Sequence, residues 1–358
     1  MSYETHPPQP WAPSPVAELL HWVNPHSAQR ARRWAGRMPE SLRRPYILEV
    51  EHWFRLSGAM SEPPPGTSLH MRPLAKHDIT ASGWDEMLSR LDLVNERFSE
   101  DQCRAILTLS PGMVEHFKQF LAPELWPKLR FLYPAAPTPP VTGSHNGDVF
   151  RILTVASRFS DKGVPEVLQA FEQLRARHGK AVELMLLCHQ VPARYRPLPD
   201  GTTLYDDPPF IPASRKHQIF GRANAMCILN FWEGPTSIME ANSYGVPSVT
   251  TRVHNGEAFV REGITGYLVD PPFFAYSEGF GSRWKSLTDL SAELEELRKR
   301  GGMAALVDDV VDRLDRMITG EVDHRALGDA ARELHAERFT PEVRNRELRR
   351  IYADALDD

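Results

Sequence analysis

Two short stretches of this chain carry charged residues at spacings that could do chemistry: a pair of cations and a pair of carboxylates. ASRFSDKG, residues 156–163, places Arg158 and Lys162 ahead of Gly163 at what the pattern predicts is a helix start. Two cations beside a helix amino terminus form a natural phosphate site, because backbone N–H groups and side-chain charge point the same way. The same pattern also describes a basic surface turn. FWEGPTSIMEANSYGVP, residues 231–247, sets Glu233 and Glu240 on either side of a Pro-Thr-Ser turn, with six residues between them. Ser237-x-x-Glu240 fits a capping box, in which the glutamate serves its own helix, and Glu233 fits a solvated loop acid.

The elements that must position these residues are legible from periodicity. VFRILTVAS (149–157) is a β-branched apolar run, and VPEVLQAFEQLRARH (164–178) has Val167, Ala170, Phe171 and Leu174 at helical spacing behind Pro165. AVELMLLCH (181–189), AMCILNF (225–231) and VPSVTT (246–251) are further strands, with helices over SRKHQIFGRA and TSIMEANSYG between them. The alternation predicts a parallel sheet with helices on both faces, whose ligands bind beyond the carboxyl ends of the strands. The strand before Glu233 is expected to end near Phe231. The next helix is expected to start near Thr236 or Ser237, with Glu240 in its first turn and Gly245 as its stop.

The first 145 residues are less patterned. PYILEVEHWF (45–54) and CRAILTLS (103–110) have the apolar content of buried strands, PGMVEHFKQFL starts a helix at Pro111, and KLRFLYP is a further strand candidate; residues 1–44 carry no strong strand signal. The proline-rich YPAAPTPPVTGSHNG (133–147) marks a domain boundary. We expect an amino-terminal domain over 1–140 and a second domain over 147–336, the usual outcome for a chain of this length.

Composition excludes several classes. With 41% hydrophobic and 25% charged residues the chain is of globular type, and no stretch reaches the eighteen or so apolar residues a membrane span needs. The amino terminus lacks a basic start followed by an apolar run, so the expected location is the cytoplasm. A net charge of −5 spread without basic blocks gives no support to a nucleic-acid partner. Cys103, Cys188 and Cys227 stand in apolar surroundings and are expected to be buried free thiols.

Taken in order, SRFSDKG, then EGPTSIMEANSYGVP, then RVHNGEAFVREGITGYLVDP (252–271), resemble the motifs of the retaining glycosyltransferases of family 4, from about residue 103 onward. The resemblance implies an α/β GT-B fold: two Rossmann-like domains facing a cleft, here with a reduced amino-terminal domain. ERFTPEVRNRELRRIYADAL (337–356) looks like the family's terminal helix, so residues 337–358 would pack back on the first domain. Two spacings depart from the family pattern. Glu233 and Glu240 are separated by six residues instead of seven, and Arg158 and Lys162 stand one residue closer than usual. The strand leading to a Gly-Gly turn that usually opens the family's first domain is missing.

What the resemblance implies is a hexosyltransferase-type enzyme that moves a sugar from a nucleoside diphosphate donor, UDP or GDP, to an acceptor hydroxyl with retention of anomeric configuration. Arg158 and Lys162, with the N–H groups of Thr236 and Ser237, would meet the diphosphate. Glu240 would accept the ribose hydroxyls, Glu233 would face the sugar, His52 would approach it from the first domain, and Phe210 and Ile211 would line the base. No cofactor and no metal is implied, and the sequence contains no convincing Asp-x-Asp. Two alternatives stay open at this level: a nucleotide-sugar epimerase or inverting transferase on the same scaffold, and a partner subunit that keeps the nucleotide domain without catalysis.

Overall fold

The computed structural model describes residues 20–23, 46–49, 95, 98–99, 101–119, 121–140, 147–188, 190–206, 211–231, 235–253, 256–272 and 287–357. The chain divides into two compact units. One takes in the amino-terminal part up to Pro134 together with Arg344–Asp358, and the other takes in Ala135–Trp284 and Thr288–Val343.

The amino-terminal unit holds a parallel sheet of β1 (Leu20–Val23), β2 (Tyr46–Glu49), β3 (Cys103–Thr108) and β4 (Leu129–Phe131), in that spatial order. β1 lies in a stretch without a strong strand signal in the sequence. β3 is followed by α1 (Pro111–Lys118), which starts at the predicted proline. Ile47, Leu48, Ala105, Ile106 and Leu107 are buried, as expected for strands with a covered parallel sheet. On them packs the carboxyl-terminal part of the last helix: Leu348, Ile351, Tyr352, Ala355 and Leu356 join Ile47, Leu107 and Leu132 in one apolar cluster. Arg344 secures that contact. Its Nη2 donates to both carboxylate oxygens of Glu49 at 2.7 Å, and its Nη1 donates to the carbonyl of Tyr133 at 2.7 Å.

The carboxyl-terminal unit is a six-stranded parallel sheet with helices. Its strands are β5 (Phe150–Ala156), β6 (Val182–Cys188), β7 (Thr202–Tyr205), β8 (Ala225–Ile228), β9 (Ser248–Thr251) and β10 (Gly266–Val269). Its helices are α2 (Val164–His178), α3 (Ala213–Phe220), α4 (Pro235–Tyr244), α5 (Gly256–Phe259), α6 (Leu287–Lys299), α7 (Ala304–Ile318), α8 (His324–Arg338) and the start of α9 (Pro341–Asp357). β5 and β6 are buried along most of their length, which is why they read as continuous apolar runs. β7 escapes the sequence reading because it is a four-residue edge strand with only its last side chain buried, set among prolines. Cys103, Cys188 and Cys227 are free and buried.

The spatial order β10-β9-β8-β5-β6-β7 carries the functional consequence. From β5 the chain builds outward through β6 to β7, then returns past β5 to place β8 on its other side, where Ile152 pairs with Ala225 and Leu153 with Met226. In local numbering this is the order 3-2-1-4-5-6, with its topological switch point between β5 and β8. Crevices for ligands open at such a point, beyond the carboxyl ends of the two strands. The two stretches that opened the sequence reading are the loops leaving those ends.

α2 runs over the predicted residues, with Val167, Ala170, Phe171 and Leu174 buried. α7 shows the same logic at Leu306, Val307, Val310, Val311, Leu314 and Met317, and packs on α2; α8 packs on α4. No helix among the described residues is long and apolar enough to cross a membrane.

Candidate functional site

The loop from Ser157 to Gly163 leaves β5 and turns sharply into α2. Gly163 sits at φ +64° as the residue before the helix, and its N–H bonds the carbonyl of Ser160. A Cβ built on it would fall 2.4 Å from Leu229 Cβ and 2.7 Å from the Leu229 carbonyl, so the loop lies directly against the segment that follows β8. The N–H of Phe231 closes that contact by donating to the carbonyl of Asp161 at 3.0 Å. The two candidate loops are therefore joined backbone to backbone at the switch point.

Within the first loop, Lys162 is buried and Arg158 is half-buried. Nη2 of Arg158 lies 2.6 Å from Oδ2 of the buried Asp161. The contact is charge against charge: Asp161 Oδ2 has no hydrogen-bond partner among the described residues. Nε and Nη1 of Arg158 are buried with no hydrogen-bond partner among the described residues. Buried guanidinium nitrogens without an acceptor are costly unless something accepts from them. Asp161 stands between the two cations in the sequence motif, but sequence reasoning did not single it out.

On the other side of the switch point, α4 starts at Pro235, earlier than the sequence pattern predicts. Proline fits the first helical turn because it lacks the N–H that would go unbonded there. The consequence is a correction to the capping-box reading. Ser237 becomes the third helical residue, inside the helix, and Glu240 moves to the second turn, where it has another partner. Lys216 Nζ, on α3, contacts Glu240 Oε1. Thr236 is exposed and Ser237 half-buried, and their N–H groups belong to the four at a helix start that have no intrahelical acceptor. α4 stops at Gly245, at φ +70°, as expected.

Lys216 is a second residue that sequence reasoning missed. It sits in a helix whose polar residues look like an ordinary solvated face, 24 residues from its partner. Next to it, His217 Nδ1 lies 2.6 Å from the hydroxyl of Tyr244. Burial and the nearby Glu240 carboxylate push that phenol up to about 12. α3 therefore places a cation and an imidazole over the acid and the phenol of α4.

Of the remaining candidates, Ile211 is buried, following β7 at the start of α3's approach. Glu233, Phe210 and His52 lie outside the described residues. Among the described residues no group of three or more His, Cys, Asp or Glu side chains is arranged to hold a metal ion. A cavity of about 620 Å³ opens beside Tyr205, Arg215, His217 and Arg222 along α3, and none of the described candidate residues lines it.

Comparison with known proteins places these loops in a family context. Residues 141–279 match the family model Glycosyl transferases group 1, a span that includes Arg158, Lys162, Ile211, Thr236, Ser237 and Glu240. No curated protein matches the chain. Solved structures with a similar fold include sucrose-phosphate synthase from Thermosynechococcus elongatus, at 13% identity over 94% of this chain and 73% of that one, with a TM-score of 0.61. HepE from Anabaena in complex with UDP-glucose is similar at 11% identity over 94% of this chain and 78% of that one, TM-score 0.55. A glycosyltransferase from Rickettsia africae is similar at 11% identity over 95% and 77%, TM-score 0.56. At such identities the likeness is one of fold: α/β with parallel sheets, as in GT-B glycosyltransferases. The chain carries a glycosyl transferases group 1 domain in that setting.

Proposed function

We propose that this chain is a retaining, metal-independent glycosyltransferase of the family 4 type, working in the cytoplasm, that moves a hexose from a nucleoside diphosphate sugar to an acceptor hydroxyl. The observation that carries the reading is the state of Arg158: two buried guanidinium nitrogens lack a partner among the described residues, in the loop beyond β5 at the switch point. A diphosphate supplies acceptors of the right charge and geometry for a planar guanidinium.

In this reading Arg158, Lys162 and the N–H groups of Thr236 and Ser237 receive the diphosphate. Negative charge grows there as the bond from the anomeric carbon to the phosphate oxygen breaks, so these donors act most strongly in the transition state. Glu240 accepts from the ribose hydroxyls and gives up part of its contact with Lys216 to do so. Glu233 faces the sugar and supports its oxocarbenium character, His52 is assigned to the same sugar, and Phe210 and Ile211 line the base. The acceptor hydroxyl contributes its oxygen to the anomeric carbon and passes its proton to the departing diphosphate oxygen. The protein's cations take the charge that a metal carries elsewhere. Uridine diphosphate is the first nucleotide to test, since HepE, similar in fold, has been seen with UDP-glucose.

The Lys216–Glu240 contact favours one second reading, a nucleotide-domain partner subunit whose ribose carboxylate is already occupied. Calorimetric titration with UDP, GDP, ADP and TDP, on the wild type and on Glu240→Ala, with and without EDTA, separates the two. Saturable binding of one nucleotide, weakened by the substitution and indifferent to EDTA, supports the donor site. Failure of all four to bind removes it and leaves the partner subunit.

A further inference from the structure

Arg298, on α6, is nine-tenths buried and has an acceptor for each of its five N–H groups. Nε and Nη2 donate to the two carboxylate oxygens of Glu166, at 2.6 and 3.0 Å, in a fork-to-fork pair. The second proton of Nη2 goes to the backbone carbonyl of Ser160 at 2.8 Å. Nη1 donates to the Ser160 hydroxyl and, at 3.0 Å, to Glu295. Glu166 is fully buried in the first turn of α2, so a single guanidinium ties the start of that helix to the loop preceding it.

A second grip reaches the same loop. Arg194 donates to Glu295 at 2.7 Å and lies over the ring of Tyr195, whose centroid is 4.6 Å from that of Phe159. Phe159 and Ser160, the two residues after Arg158, are thus both held from outside the loop. An apolar pair of similar volume in place of Glu166 and Arg298 would stabilise the fold equally well or better. What such a pair could not do is hold the carbonyl of Ser160.

We propose that Arg298 is a positioning residue, which fixes the 157–163 loop in the conformation that presents Arg158 and Lys162 to the donor's diphosphate. The proposal rests on the reading of that loop as a diphosphate site. Arg298 itself touches no substrate; it acts through Ser160 and Glu166.

Two variants test it. Arg298→Lys keeps the charge beside Glu166 but has three donors for five acceptors. The paired Glu166→Leu/Arg298→Met removes the ion pair as a unit, so no buried charge is stranded. Hydrogen exchange of residues 157–163 is read by mass spectrometry, thermal unfolding is followed, and UDP, GDP, ADP and TDP are titrated calorimetrically. With the unfolding transition retained, exchange in the loop is expected to quicken about tenfold in both variants. Affinity for the nucleotide that binds wild type is expected to fall about tenfold, as misplacement of a preorganised site predicts. Loop exchange indistinguishable from wild type in both variants overturns the proposal. So does quickened exchange with unchanged affinity. If wild type binds none of the four nucleotides, the donor-site reading fails on that result, while loop exchange still decides whether Arg298 holds the loop.

Discussion

Lys216 and Glu240 meet across the gap between α3 and α4, ammonium against carboxylate, at the place where a nucleotide's ribose is read to bind. Both side chains are about a third exposed, so the pair contributes little to stability, about 0–1 kcal/mol. In the proposed donor site Lys216 would compete for one of the two Glu240 oxygens offered to the ribose, and Lys216→Met is expected to tighten nucleoside diphosphate binding by up to about fivefold. Glu240→Ala removes two hydrogen bonds to a charged acceptor and is expected to weaken binding at least about tenfold. Calorimetry on both variants checks the opposite signs; weaker binding by Lys216→Met would place that lysine among the ligand's own contacts.

Arg158→Ala is expected to lower the transfer rate about 10²–10³-fold, the cost of one donor aimed at a developing charge. It also strands Asp161, a buried carboxylate, and should reduce stability. Arg158→Ala/Asp161→Ala is expected to recover the stability and none of the rate. Urea unfolding and turnover, measured on the same two variants, separate the structural use of the arginine from the chemical one.

Gly163→Ala meets two obstacles, a positive φ and the Cβ of Leu229 only 2.4 Å away. A left-handed conformation costs a side chain about 1–2 kcal/mol and overpacking adds about 1–3 kcal/mol, so a loss of about 2–5 kcal/mol is expected in urea unfolding. A loss under 1 kcal/mol would mean that the loop can lift away from β8 at little cost.

His335 gives the carboxyl-terminal unit a pH dependence of known sign. It is buried, with Nε2 2.9 Å from the carbonyl of Ala136, and burial lowers its pKa from the ordinary 6.5, while that bond opposes the shift. The unfolded chain therefore takes up a proton that the folded chain refuses. The stability tied to this residue is complete above pH 6.5 and declines as the pH falls below it, towards the folded value. His335→Gln keeps a donor to Ala136 and should flatten the fall in melting temperature between about pH 7.5 and 5.5. An unchanged slope would assign the dependence to other groups.

How much of this was legible in the sequence follows the range over which each feature is determined. α2 and β5 were readable residue by residue because Pro165, Gly163 and an apolar period are local signals, and the parallel α/β fold followed from their alternation. α4 starts one residue ahead of the expected Thr236, and that one residue matters: Ser237-x-x-Glu240 has capping-box spacing, yet Pro235 begins the helix and leaves Ser237 inside it. The partners of the site were not readable. Lys216, Asp161, Arg298 and Glu166 are ordinary charged residues in helices and turns, and become informative only where the fold brings them together. Arg298 in particular stands in LRKRGG, which looks like the basic end of a solvated helix, while the folded chain buries it.

The strand order of the carboxyl-terminal unit imposes a chronology on the site during synthesis. A ribosome delivers Arg158 and Lys162 with β5, then lays down β6 and β7 on the side away from the future crevice. The opposite wall arrives only with β8 and α4, once the chain has doubled back past β5. Arg298 emerges later again. A nascent chain halted after β7 holds the cations but has no crevice to put them in, so capture of a nucleotide would report that the last strands have joined the sheet.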